Sequence, residues 1–154
     1  NQDGSVFEVI LPVRTLRELE TAPEDQKIVT SCERKAHVLV AEDNMVNAMI
    51  VRAILEDAGH EVRHALNGVE AVDQAFEDWA DIILMDIRMP QMDGLEATRI
   101  IRETEKGKEI PIIAVTAEAF EDQHKIITET GIQDIITKPF NPPQILEAIE
   151  KYCI

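Results

Sequence analysis

The chain is poor in basic residues, in cysteine and in aromatic rings, and it contains no long apolar run. Fifteen Lys and Arg stand against thirty Asp and Glu, a net charge of −15, so electrostatics oppose docking on nucleic acid or on an anionic bilayer. Partners are therefore expected to be proteins with basic or mixed surfaces. No stretch approaches the roughly 20 apolar residues of a membrane-spanning helix, and direct membrane contact by this segment is not expected. The two cysteines, Cys32 and Cys153, lie far apart without Cys-x-x-Cys spacing. Reduced thiols in a cytoplasmic setting are expected rather than a bridge. A GxxxxGK phosphate loop is missing, as is the His-Glu-x-x-x-Thr-Pro context of a phosphorylated kinase histidine, and residues 17–23 contain no histidine. This segment is thus not itself a kinase. His37, His60, His64 and His124 show no spacing suited to zinc or catalysis, and surface or interface positions are expected for them. Trp79 and the methionines read as packing residues, with Met89 and Met92 beside the candidate site.

What is present is enough for one α/β domain with a real core: 154 residues, 45% of them hydrophobic, plus some additional chain. Strand-like runs occur at Val38-Leu39-Val40-Ala41, Val62-Arg63-His64-Ala65, Ile82-Ile83-Leu84-Met85, Ile112-Ile113-Ala114-Val115 and Ile135-Ile136-Thr137. The first, third and fourth are apolar throughout, as strands covered on both faces must be, whereas the second alternates with charge and suits an edge. Helical stripes fill the gaps: Val46, Ile50, Ala53 and Ile54, then Val69, Val72 and Phe76, then Phe120, His124 and Ile127, and finally Ile145, Ile149 and Cys153. Asn44, Asp93 and Asn141 followed by Pro142 read as helix N-caps, and Gly59 and Gly131 as helix ends. Five βα units with short connections predict a doubly wound (βα)5, flavodoxin-like parallel sheet of strand order 2-1-3-4-5 over residues 37–154.

That order places the topological switch point between strands 1 and 3, where the carboxyl ends of the strands carry chemistry. Glu42 and Asp43 end the first strand, Asp86 the third, Thr116 the fourth and Lys138 the fifth. Glu42-Asp43 alone would read as a cap or a solvated loop; together with Asp86 and Lys138 they read as a site. Two carboxylates 4 Å apart repel by about 4 kcal/mol at an effective dielectric of 20, so such a cluster takes up a proton or a cation. All-oxygen ligands on an open crevice suit Mg²⁺ first and Mn²⁺ as a substitute. Asp43 and Asp86 are the expected direct ligands, Glu42 acts through a metal-bound water, and the backbone carbonyl of Arg88 completes the protein's share. A phosphoryl group arriving at Asp86 needs compensating charge around its oxygens; Lys138 supplies a point charge and Thr116 a hydroxyl donor. The Lys138-Pro139 bond is a candidate for the cis form that would aim the ammonium inward.

Over residues 37 to about 153 these segments, Val-Ala-Glu-Asp-Asn, Leu-Met-Asp-Ile-Arg-Met-Pro-Gln-Met-Asp-Gly, Ala-Val-Thr-Ala and Thr-Lys-Pro-Phe, resemble the response-regulator receiver family in order and spacing. The resemblance implies that Asp86 accepts a phosphoryl group from a partner's phosphohistidine, that Mg²⁺ is bound by Glu42, Asp43, Asp86 and the Arg88 carbonyl, and that Thr116 and Lys138 read the phosphate. Where many receivers carry Tyr or Phe three residues before the lysine, this chain has Ile135. That departure argues against aromatic rotamer coupling and against regulated dimerisation, and a monomer is expected.

Residues 1–13, with Gly4-Ser5-Val6-Phe7-Glu8-Val9-Ile10-Leu11-Pro12, resemble the closing strand of a histidine-kinase ATP-binding domain, and residues 14–36 read as a polar linker. The chain begins at Asn1 rather than Met, as expected of a piece of a longer protein. The order kinase end, linker, receiver is that of a hybrid sensor histidine kinase, whose parent form is compatible with an anchor in the inner or plasma membrane. The resemblance thus implies a phosphorelay role, with a histidine kinase phosphohistidine domain as donor and a histidine phosphotransfer domain as acceptor. Two other readings compete: a receiver-like interaction module that is never phosphorylated, and a Mg²⁺-dependent phosphatase with Asp86 as nucleophile. The phosphatase requires a second Asp two residues on, where this chain has Arg88.

Overall fold

A computed structural model describes residues 35–117 and 121–153. The expected kinase-like strand over residues 1–13, all but the end of the linker, Cys32 and Phe120 lie outside the described residues. Within them, five strands and five helices alternate: β1 His37–Ala41, α1 Met45–Asp57, β2 Glu61–Ala65, α2 Gly68–Phe76, β3 Ile82–Asp86, α3 Gly94–Arg102, β4 Ile112–Thr116, α4 Glu121–Glu129, β5 Asp134–Thr137 and α5 Pro142–Tyr152. All pairings are parallel and the strand order is 2-1-3-4-5, as the apolar pattern predicts.

Strand periodicity divides the core. Side chains alternate across a sheet with period two, so Val38, Val40, Ile82, Leu84, Ile113 and Val115 face one layer, where they meet Val51 and Leu55 of α1 and Ile145 and Ile149 of α5. Their neighbours Leu39, Ala41, Ile83, Met85, Ile112 and Ala114 face the other, against Ala71 and Val72 of α2, Ala97 and Ile101 of α3 and Ile127 of α4. Each fully buried Leu or Ile contributes about 1.5–3 kcal/mol relative to exposure. A polar substitution in β1, β3 or β4 has no solvent side to turn to.

The expected caps are in place. The Asn44 side chain accepts from the Val46 and Asn47 amides, Asp93 from the Glu96 amide, and Asn141 forms a reciprocal capping box with Gln144. Gly59 and Gly131 adopt φ of 98° and 106° at helix ends, a region that costs a Cβ-bearing residue steric strain. The Asn67 side chain caps α2 as well, a cap that sequence reasoning missed.

Helix rotation is where expectation and structure part. In α1 the buried residues are Ala48, Val51 and Leu55; of the predicted stripe only Ile54 packs against the core, half-buried, while Val46 and Ile50 are 63% and 48% exposed. Residues 45–55 are apolar on two sides of the helix, both at helical spacing. Which one is buried depends on where β1 delivers the chain, and local sequence does not encode that. Met45 and Met49 are exposed for the same reason, against the expectation that the methionines pack. In α2 the buried face is Gly68, Ala71 and Val72, while Val69 and Phe76 are exposed. His124 of α4 is exposed.

His60 corrects a further expectation: it is buried at 5% exposure, and its Nδ1 accepts the amide hydrogen of Ala36 at 3.2 Å. Burial lowers its pKa below the ordinary 6.5, partly offset by Glu150. The unfolded chain therefore takes up a proton near pH 6.5 that the folded chain refuses, so stability is complete above that pH and falls as pH drops through it toward the folded pKa. The slope from this one site reaches at most about 1.4 kcal/mol per pH unit. His60→Asn, which retains an acceptor but does not titrate, should flatten this limb when unfolding free energy is measured against pH. An unchanged slope would show that the imidazole is protonated in the folded state.

Candidate functional site

The register of the sheet brings the carboxyl ends of four strands level. Ala41 pairs with Met85, Asp86 with Val115, and Thr116 with Thr137, so the residues that end or follow β1, β3, β4 and β5 open on one crevice. Glu42 and Asp86 are buried at 4% and 6% exposure, and Asp43 is exposed at their side. One carboxylate oxygen from each of Glu42, Asp43 and Asp86 lies within 4.8 Å of the others. Among the described residues no other cluster of three His, Cys, Asp or Glu reaches that proximity.

Lys138 enters from the end of β5. Its Nζ donates to Glu42 Oε2 at 2.8 Å and to Asp86 Oδ2 at 3.2 Å. The Lys138 amide donates to the Thr116 carbonyl at 2.8 Å, and the Lys138-Pro139 bond is cis, as expected. Glu42 Oε1 accepts the Asn44 amide at 3.1 Å, and Asp86 Oδ1 accepts the Arg88 amide at 3.2 Å. Thr116 is buried and lines, with Asp43, Arg88, Met89 and Ile127, a cleft of about 710 Å³ beside the carboxylates. All six residues singled out from the sequence thus converge. Gly94 shows how closely the β3–α3 loop is drawn in: a Cβ placed there would stand 2.3 Å from the Asp86 carbonyl oxygen.

The charge balance is unequal. Burial raises the Asp86 carboxyl, and the adjoining Glu42 raises it further; Lys138 opposes both, and the result is a pKa pushed up to about 7. For Glu42 burial also pulls upward, but hydrogen bonds from Lys138, Asp86 and the Asn44 amide outweigh it and hold the group below the usual carboxylate range. Burial would lower Lys138, yet its two carboxylate partners keep it raised. Of the two, Asp86 is the carboxyl that takes up a proton more readily. One ammonium facing three carboxylates leaves the cluster short of positive charge, and the donors are all oxygen. Both facts fit a hard divalent cation, for which the Lys138 ammonium is already a partial stand-in.

His64 was missed. Expected at a surface or interface position, it is half-buried, and its Nε2 lies 2.7 Å from the Glu42 carbonyl oxygen. The only signal available from sequence was its place near the end of an edge strand next to β1.

Residues 38–150 match the family described as Response regulator receiver domain. The polar-differentiation response regulator DivK of Brucella anthropi is 38% identical over 115 residues, which span 75% of this chain and 94% of that protein. The crystal structure of the receiver domain of sensor histidine kinase PA1611 from Pseudomonas aeruginosa PAO1, with a magnesium ion coordinated in the active-site cleft, superposes with a TM-score of 0.73 at 35% identity, covering 77% of this chain and 98% of that one. A chain of the co-crystal structure of the Saccharomyces cerevisiae histidine phosphotransfer protein Ypd1 with the receiver domain of Ssk1 superposes with a TM-score of 0.72 at 30% identity, covering 77% and 88%.

Proposed function

The chain belongs to the response regulator receiver family, and we propose that within two-component signalling it accepts a phosphoryl group on Asp86 and relays it to a histidine phosphotransfer partner. The observation that carries this reading is the convergence of Glu42, Asp43 and Asp86 within 4.8 Å around the Lys138 ammonium. In the transfer, an Asp86 carboxylate oxygen forms a bond to phosphorus as the bond from phosphorus to the donor's imidazole nitrogen breaks. The electron pair returns to that nitrogen, and the donor leaves as neutral imidazole when its other nitrogen carries a proton. Asp43, Asp86 and the Arg88 carbonyl would hold Mg²⁺ or Mn²⁺ directly, with Glu42 reaching it through water. The chemistry a bound dication supplies is compensation of the carboxylate and phosphoryl charge. Lys138 meets the phosphoryl oxygens from the end of β5, and Thr116 donates its hydroxyl to them.

A docking surface lies beside the site. Met45, Val46, Met49 and Ile50 begin two residues beyond Asp43, share one face of α1 and are 48–65% exposed. An apolar helix face of this kind suits a helical partner that presents its histidine at the crevice, and the similarity to a receiver crystallised with a histidine phosphotransfer protein favours the same kind of partner. Residues 37–154 are the receiver in this reading, residues 14–36 a linker and residues 1–13 the last strand of a kinase ATP-binding domain. A cytoplasmic place is consistent with this arrangement, and among the described residues no helix is long and apolar enough to cross a membrane.

Incubation with a phosphorylated histidine phosphotransfer domain and Mg²⁺ should move the label to this chain as a hydroxylamine-sensitive acyl phosphate, and the label should return in the reverse direction. Met49→Glu should slow that exchange at least tenfold, the factor set by about 1.4 kcal/mol of lost docking energy. Labelling by acetyl phosphate, which needs no docking, should be unaffected. A chain that takes label from acetyl phosphate yet exchanges with no histidine donor would sink the relay role; a chain that takes label from neither is an interaction module.

A further inference from the structure

We infer that His64 is a positioning residue for the metal-binding carboxylates, acting through the peptide unit between Glu42 and Asp43; the inference rests on reading Glu42, Asp43 and Asp86 as a cation site. The peptide unit before Glu42 is held by the sheet, because the Glu42 amide donates to the Ala65 carbonyl at 3.0 Å and extends the β1–β2 ladder by one rung. The next peptide unit has left the ladder. Its carbonyl oxygen, that of Glu42, lies 2.7 Å from His64 Nε2. A carbonyl oxygen only accepts, so Nε2 carries the hydrogen.

His64 is itself anchored. It pairs with Val40 across the β1–β2 register, and the Gln74 side chain of α2 donates to the His64 carbonyl at 3.0 Å. The two acidic residues depend on this contact unequally. The Glu42 carboxylate is independently oriented by Lys138 Nζ and by the Asn44 amide. Asp43 is the exposed member of the cluster, and the peptide unit on which it is mounted is the one His64 holds. Rotation of that unit by a few tens of degrees would swing the Asp43 carboxylate away from Asp86 while the sheet stayed intact. Groups behind the ligands that fix their orientation commonly govern metal affinity as strongly as this.

The test uses the full chain as wild type, His64→Leu and His64→Gln, the last because its amide nitrogen sits where Nε2 does. In metal-free protein the Glu42 carbonyl carbon resonance should move upfield in His64→Leu and return in His64→Gln. In a Mg²⁺ titration followed by NMR, His64→Leu should bind about tenfold more weakly, the lower end of the loss usual for such partners. His64→Gln should recover most of that affinity, and urea unfolding should show the two variants equally stable. Wild-type Mg²⁺ affinity in His64→Leu, or an equal loss in both variants, would overturn this inference alone. A wild-type chain that ignores Mg²⁺ would overturn the metal reading and the inference with it.

Discussion

Asp86→Asn should reduce phosphoryl uptake from near one group per chain to none, whichever donor is used, while the fold survives. The amide has almost the volume of the carboxylate it replaces, and the site is 6% exposed, so neither a cavity nor an overpacked contact is created. Its oxygen can still accept the Arg88 amide that now lies 3.2 Å from Asp86 Oδ1. What disappears is the nucleophilic oxygen: an amide has no negative charge to direct at phosphorus, and no neighbour can substitute. Glu42 is the nearest alternative, but its carboxylate is held by Lys138 and by the Asn44 amide. The electrostatics predict a second result. Asp86 ionises against burial and against Glu42, which is why its pKa stands at about 7. A neutral amide removes that repulsion, so above pH 7 and without metal the urea midpoint of the variant should equal or exceed that of the wild type. Residual labelling at unchanged stoichiometry would remove Asp86 from its proposed role; a lower midpoint would mean that the Lys138 contact at 3.2 Å matters more to folding than the repulsion does.

Much of this arrangement is legible in the chain because the covered strands have nowhere to hide a polar residue. Residues 38–41, 82–85 and 112–115 are apolar without interruption, residues 62–65 alternate, and the interior and edge positions follow from that difference alone. Strand order then brings Glu42, Asp86, Thr116 and Lys138 to one end of the sheet, so their proximity needs only topology and no knowledge of side-chain packing. The features that escaped depend on what packs against what. The rotation of α1 is undetermined by a sequence that is apolar on two sides, and the structure buries Ala48, Val51 and Leu55 while leaving Val46 and Ile50 in solvent. His60 and His64 look alike in sequence, yet one accepts an amide hydrogen in the core and the other donates to the site's backbone. Their partners, Ala36 and Glu42, are 24 and 22 residues away, beyond the reach of any local pattern.

Arg102 is another residue of this kind, and its removal should produce the largest loss of stability of any single polar substitution considered. It ends α3, and its guanidinium gathers loops at the opposite end of the sheet from the carboxylates. Nε and Nη2 donate to the Gly131 carbonyl at 3.1 and 2.7 Å, Nη1 to the carbonyls of Ile110 at 2.7 Å and of Gly107, and Nη2 to Gln133 Oε1 at 2.9 Å. Gln133 in turn accepts the Ile112 amide at 2.8 Å, at the first residue of β4. One side chain therefore joins the connection before β4 to the turn before β5. Hydrogen bonds from a charged donor contribute about 1.5–3 kcal/mol each, and several share this donor, so Arg102→Ala should cost about 3–4 kcal/mol once water has replaced part of what is lost. Arg102→Lys separates geometry from charge: an ammonium keeps the charge but lacks the planar fork that spans three carbonyls and an amide, and it should recover less than half of the loss. Urea unfolding measures both variants, and amide exchange at Ile112 should quicken in each. A cost below about 1 kcal/mol for Arg102→Ala would place the guanidinium among ordinary surface contacts, whose removal rarely costs more.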